Sequence, residues 1–261
     1  MQSLKLKTQA TAPTAPACLK DALALSKPLL SPSETADILS SCGSLGPDPS
    51  SQHFTKRTKS IAYVMCIADQ WFQLRADFFS QPQQYNDFSG GYKRFYQELP
   101  ATFLGCQATQ KVLSAFKTTY NLPEKELILV QIQTSHVDHN SVDQCLTGQG
   151  IHSDGADRAI LVCLERNNVV QAESAIFSDL RGQHAVLDPF VLKEGHALLW
   201  QDNRVFHHVA PARLKDPQTD GSRTVLIAHY PAFHYLSGQT NPNNTLGTNQ
   251  AAPSKRLRLH A

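Results

Sequence analysis

Residues 148–168 read GQGIHSDGADRAILVCLERNN: a glycine-bearing turn (Gly148-Gln149-Gly150), a short polar triplet, then an unbroken apolar run. The β-branched residues of that run and the turn signals before it predict a strand over 158–165. His152 and Asp154 then fall at the strand's entrance, with both side chains facing the mouth of a barrel. Working outward, 126–134 (ELILVQIQT), 174–178, 196–200, 204–210 and 223–230 (RTVLIAHY) share the same short, β-branched character. Lys193-Glu194-Gly195 and 216–221 (DPQTDG) are two of the turns between them.

Upstream the period changes. Ser31-Pro32-Ser33-Glu34 carries an N-cap serine, a proline at the first helical position and a glutamate at the third. It predicts a helix running to about Cys42, with Gly43 as its stop. Val112, Leu113, Phe116 and Tyr120 recur at helical spacing and predict a second helix over 107–120, ended by Asn121-Leu122-Pro123. Helices first and many short strands after predict an α+β, mainly β architecture, with a helical N-terminal layer supporting a β-sandwich or barrel. The expected organisation is a disordered leader over 1–30, one domain over 31–236 and a disordered tail over 237–261. The basic end of that tail, Lys255-Arg256-Leu257-Arg258, reads as solvated.

Composition narrows the function classes. With 41% hydrophobic residues the chain has material for a sizeable core, and a net charge of +2 gives no electrostatic case for a nucleic-acid partner. No run approaches the roughly 20 apolar residues needed to span a bilayer, and no apolar segment follows the N-terminal lysines as in a secretory signal. The six cysteines are scattered without metal-ligand spacing, so reduced thiols are expected rather than a disulfide framework. A soluble, cytoplasmic protein without a membrane partner is the expectation; the oligomeric state is open.

His207 follows His152 by 55 residues, and Arg223 follows His207 by 16. Two histidines and one carboxylate are the ligand set of the facial triad that holds non-haem Fe(II) with positions left open. An arginine supplies the rigid two-pronged cation that the far carboxylate of 2-oxoglutarate requires. A second His-x-Asp triplet, His136-Val137-Asp138 with His139 beside it, lies in a polar stretch that reads as a solvated loop and is set aside. Strand alternation turns one of His207 and His208 inward, and the pattern alone leaves open which. Arg223 is the candidate for the cosubstrate carboxylate, with Arg213 and Arg204 as fallbacks. This constellation reads as an iron- and 2-oxoglutarate-dependent oxygenase.

The run at 148–168 resembles the "EGIHxDG" segment of the isoleucine-hydroxylase-like 2OG-Fe(II) dioxygenases, a group acting on free amino acids. GHALLWQDNRVFHHVAPA (195–212) resembles that family's "GDxLLxDDRxVxHxVTPI" segment, which aligns His207 as the distal ligand. GSRTVLIAHY (221–230) is similar to its final "YRDVLVxxF" strand and aligns Arg223, and YNDFSGGYKRFYQELP (85–100) resembles a "GGxKRxF" segment. The similarity spans about 86–230. Gln149 stands where the family has Glu, and Gln171-Ala172 where it has Gly-Gly.

The resemblance implies a double-stranded β-helix (jelly roll) with helices packed on one sheet. It implies Fe(II) on His152, Asp154 and His207, 2-oxoglutarate on Arg223, and O2 as co-reactant. The implied substrate is a free aliphatic L-amino acid, hydroxylated or closed to a ring as in fungal relatives that form an aziridine from valine. Arg94 and Ser174 are the candidates for binding it, ahead of Lys93, Gln131, Gln133 and Glu173. Two other classes compete. A non-catalytic jelly-roll binding module would have lost part of the triad, and a zinc hydrolase would not need Arg223.

Overall fold

The computed structural model describes residues 23–51, 56–86, 89–140, 145–147, 149–244 and 246. Four helices are present among them: α1 (Pro32–Ser41), α2 (Ala101–Gly105), α3 (Gln107–Tyr120) and α4 (Phe233–Ser237). The strands in the first half of the chain are β1 (Leu23–Pro28), β2 (Arg57–Ile67), β3 (Gln70–Leu74), β4 (Phe78–Phe79), β5 (Arg94–Phe95), β6 (Gln97–Glu98) and β7 (Ile128–Val137). The second half contributes β8 (Arg158–Asn167), β9 (Val169–Gln171), β10 (Glu173–Phe177), β11 (Ala185–Val191), β12 (His196–Trp200), β13 (Phe206–Val209), β14 (Ala212–Leu214) and β15 (Gly221–Tyr230). The long sheet has the order β1-β12-β8-β15-β7-β2-β3, with β6 beside β2, and a short sheet β11-β10-β13 faces it. This is the expected double-stranded β-helix with a helical layer.

Side-chain alternation sorts the long sheet into two faces. Ile128, Val130 and Ile132 on β7 and Leu226 and Ala228 on β15 pack outward with Ile38, Phe103, Val112, Leu113 and Phe116 of the helices. The alternate residues, Gln131, Gln133, Arg223, Val225, Ile227 and His229, face the interior between the sheets. Both predicted helices form. Ser31 Oγ accepts from Glu34 N–H while the Glu34 carboxylate accepts from Ser31 N–H, a reciprocal cap with Pro32 in the first turn. Tyr120 is followed by Asn121 in the left-handed region at φ 47°, which stops α3.

Several expectations are corrected. Order begins before Ser31: β1 pairs antiparallel with β12, Leu23 opposite Trp200, so backbone pairing along the sheet edge draws this segment in despite its composition. Residues 1–22 lie outside the described residues. The tail does not leave the domain at 237 either. Asn241 Nδ2 donates to Gly155 O and Asp157 Oδ1, and Asn244 Nδ2 reaches Ser153 Oγ, Ala156 O and Asp202 O at 3.1, 2.7 and 3.2 Å. Tyr85 Oη donates to Asn244 O at 2.7 Å. These polar residues look solvated by composition but satisfy buried main-chain groups; Leu246 is the last residue described, and the basic end lies beyond it. His136 and Val137 belong to β7, Val137 fully buried, rather than to a loop.

The β2–β3 hairpin went unpredicted because its turn, Ala68-Asp69, adopts positive φ at both residues without glycine or asparagine. Gln171 and Ala172 also sit at positive φ (59° and 56°), where the resembling family has Gly-Gly. The described cysteines, Cys42, Cys66, Cys106, Cys145 and Cys163, are free thiols. No helix of the described residues is long and apolar enough to cross a membrane.

Asn244 is 1% exposed, so replacing it takes a donor from the Ala156 carbonyl, while Asp202 O keeps Ser153 Oγ. Asn244→Ala is expected to lower unfolding stability by about 1–3 kcal/mol, read as the midpoint of urea denaturation. An unchanged midpoint would show that this segment braces nothing.

Candidate active site

His152 lies six residues before β8 and forms an isolated antiparallel bridge with His207 on β13. The bridge consists of two main-chain hydrogen bonds, His152 N to His207 O at 3.0 Å and His207 N to His152 O at 2.8 Å. It sets the two imidazoles 4.2 Å apart between ring centres. Asp154, two residues on, returns to the same side: its Oδ1 is 3.7 Å from His152 Nε2, and its Oδ2 is 3.4 Å from His207 Nε2. The three donor atoms lie within 4.8 Å of one another. One first-row ion with donors at about 2.1 Å spans such separations. His208 is not part of this group. His139, beside the second triplet, is exposed and pairs with Asp220 at 2.6 Å.

The surroundings prepare these side chains. His152 Nδ1 donates to Gly150 O at 2.9 Å, which leaves the Nε2 lone pair facing inward. His207 Nδ1 faces Asp202 Oδ1 at 3.5 Å. Asp202 is itself fully buried, with Oδ2 accepting from Ser153 Oγ, Gly155 N–H and Ala156 N–H and Oδ1 accepting from Trp200 Nε1. Burial, then His207, pushes His152 down to about 4, so its imidazole is neutral near pH 7. Burial works to raise the Asp154 carboxyl, but the imidazoles of His229, His207 and His152 outweigh it and hold it well below the usual range. Burial works against a charged His207, and Asp154 more than offsets it, raising that imidazole.

Both halves of the site open on one cavity of about 120 Å³. Arg223 lines one part of it. Strand register places it opposite Ser135 on β7 and Arg166 on β8, and it is 5% exposed. Its Nε and Nη2 have no hydrogen-bond partner among the described residues. A buried guanidinium with open N–H groups fits an anion with carboxylate geometry. The donor set and this arginine together fit Fe(II) with 2-oxoglutarate. The fallback arginines, Arg204 and Arg213, do not line the cavity.

Arg94 and Ser174 also reach the cavity. Arg94 is 4% exposed, lies over the Phe79 ring at 4.1 Å and donates to Gln81 Oε1 at 2.7 Å. Lys93 instead packs over Phe78 away from the lining. Sequence reasoning missed three interior groups: Asp202, His229 and Lys59. Asp202 had a signal, because it falls on the "DD" of the resembling segment. Lys59 is 6% exposed within the unpredicted β2, 3.8 Å from the buried Asp48, which also pairs with Arg57 at 2.5 Å. Burial, with Arg57 adding to it, pushes Lys59 down to about 7.

A family model described as 2OG-Fe dioxygenase matches residues 40–229. Among solved structures, a bsmA homologue from Methylobium petroleophilum PM1 is similar with a TM-score of 0.62 at 21% identity, over 77% of this chain and 82% of that one. The Fe(II)/α-ketoglutarate-dependent dioxygenase TqaL gives 0.59 at 13% identity, over 81% and 82%. IDO from Bacillus thuringiensis gives 0.50 at 12%, over 76% and 82%. At these identities the likeness shows a shared fold. No curated protein matches the chain. The family match covers most of the domain, including the residues from β2 to β15 that build the cavity, and the chain therefore belongs to the 2OG-Fe dioxygenase family, oxidoreductases that use Fe(II), 2-oxoglutarate and O2.

Proposed function

We propose that His152, Asp154 and His207 ligate Fe(II), that Arg223 holds the far carboxylate of 2-oxoglutarate, and that the substrate is a free aliphatic L-amino acid. The observation that carries this reading is the pair of unpartnered N–H groups on buried Arg223, in the same cavity as the three clustered donors. The amino-acid assignment is supported by the sequence resemblance and by Arg94, a buried cation at the cavity wall suited to a second carboxylate. Ser174, 5% exposed on β10, offers a hydroxyl to the same cavity.

Bound Fe(II), with 2-oxoglutarate and O2, supplies the oxidising power for an unactivated C–H, with 2-oxoglutarate converted to succinate and CO2. For hydroxylation, one oxygen atom of O2 enters the product and the other enters succinate. The chain's own contribution is placement. The neutral His152 and ionised Asp154 present lone pairs rather than protons to the metal. Arg223 orients the cosubstrate by its remote end. Leu161, Leu198, Val225 and Ile227 line the cavity with apolar surface, which keeps bulk water from competing with the substrate. Arg94 fixes which carbon of the amino acid approaches the metal, and that position selects hydroxylation or ring closure.

The test is to incubate the protein with Fe(II), ascorbate and 2-oxoglutarate, offer proteinogenic amino acids singly, and measure succinate and product mass. One aliphatic amino acid should stimulate succinate release. A gain of one oxygen then means hydroxylation, and a loss of two hydrogens means ring closure or desaturation. Succinate release that no amino acid stimulates would reject the substrate assignment. His207→Ala should abolish turnover, whereas His208→Ala should retain it; the reverse pattern would exchange the ligand assignment. Arg223→Leu should weaken 2-oxoglutarate binding roughly 10- to 100-fold, the loss of a charge-assisted pair worth about 1.5–3 kcal/mol. Titration of the metal-loaded protein with 2-oxoglutarate reads this directly, and unaltered affinity would remove Arg223 from the site.

A further inference from the structure

The Asp154 carboxylate has a third imidazole neighbour that the triad does not require. His229 on β15 is 3% exposed, and its Nε2 lies 2.9 Å from Asp154 Oδ2. Its other ring nitrogen, Nδ1, is 3.1 Å from Gln131 Nε2 on β7. Gln131 is 4% exposed, and its Oε1 lies 3.0 Å from Lys59 Nζ on β2. With Lys59 as the ammonium, the direction of every proton in this chain is set. An ammonium only donates, so Gln131 turns its carbonyl oxygen to Lys59. Its amide nitrogen, also only a donor, then faces His229, whose Nδ1 must accept. A neutral imidazole that accepts at Nδ1 carries its proton on Nε2 and donates it to Asp154.

We propose that Lys59, Gln131 and His229 are positioning residues for the metal centre, a fixed hydrogen-bond relay that holds the Asp154 carboxylate in one orientation through Oδ2. The inference rests on the reading of Asp154 as a metal ligand. Three adjacent strands, β2, β7 and β15, each supply one member, so the orientation of the carboxylate is built into the sheet rather than into the loop that carries Asp154. A network that merely satisfied buried polar groups would affect folding alone. A positioning network also alters metal affinity, and a residue that restores the donated proton restores that affinity.

The experiment uses the metal-depleted full chain titrated anaerobically with Co(II), whose visible absorption reports both affinity and coordination, alongside the melting temperature of each metal-free variant. The wild type should bind Co(II) and Asp154→Ala should not. His229→Leu should bind roughly 10- to 100-fold more weakly with an altered visible spectrum, and His229→Gln, which keeps an N–H donor, should recover most of the loss. Gln131→Leu, which removes the group that sets the His229 tautomer without touching Asp154, should weaken binding in the same direction; it carries the test if His229→Leu fails to fold. Wild-type affinity and spectrum in both His229→Leu and Gln131→Leu would overturn the proposal, as would a His229→Gln variant no better than His229→Leu. A wild type that binds no Co(II) would overturn the ligand reading itself.

Discussion

Two main-chain hydrogen bonds between His152 and His207 hold the centre of this molecule together. They join segments 55 residues apart in the chain and belong to no extended ladder, so they fix two imidazoles where ordinary strand pairing has ended. Loop geometry brings Asp154 back to the same side, and the buried Asp202 accepts three donors from that loop. Metal sites demand donors placed within a few tenths of an ångström. Here the backbone, rather than side-chain packing, sets the separation.

The interior beyond the triad is unusually charged for its burial. Asp48, Arg57, Lys59, Arg94 and Arg223 are buried and Asp154 largely so, and an uncompensated charge there is costly. Some of that cost is met internally, by Asp48 with Arg57 and Lys59. Arg223 and Arg94 have no carboxylate partner among the described residues. On the proposed reading their charges are met by the anionic ends of the bound acids, so ligand binding stabilises the fold.

How much of this could be read from the sequence varied with the kind of physics involved. The strand at 158–165 and the helix at 107–120 were plain because periodicity reports burial directly. His152, Asp154 and Arg223 stood out because their types and spacing match a chemical need, and the structure brings all three to one cavity. His229 did not: a lone histidine on a strand has no distinguishing pattern, and its partners come from β7 and from the loop before β8. Lys59 was hidden because β2 lacks a turn signal; Ala68-Asp69 takes a conformation that composition does not announce. The segment at 241–244 was misread for the opposite reason, since asparagines suit both a solvated tail and a set of buried amide clamps.

That clamp has a consequence for the order of events during synthesis. A growing chain folds from its N-terminal end as it emerges, and His152, Asp154 and His207 all emerge before Asn244. Between those moments the ligands exist without the amide that ties Ser153 and Ala156 to the rest of the domain. The loop bearing Asp154 is then free of its last restraint. On the proposed ligand reading, the site is therefore complete only once the chain has passed Asn244, later than the appearance of its last donor.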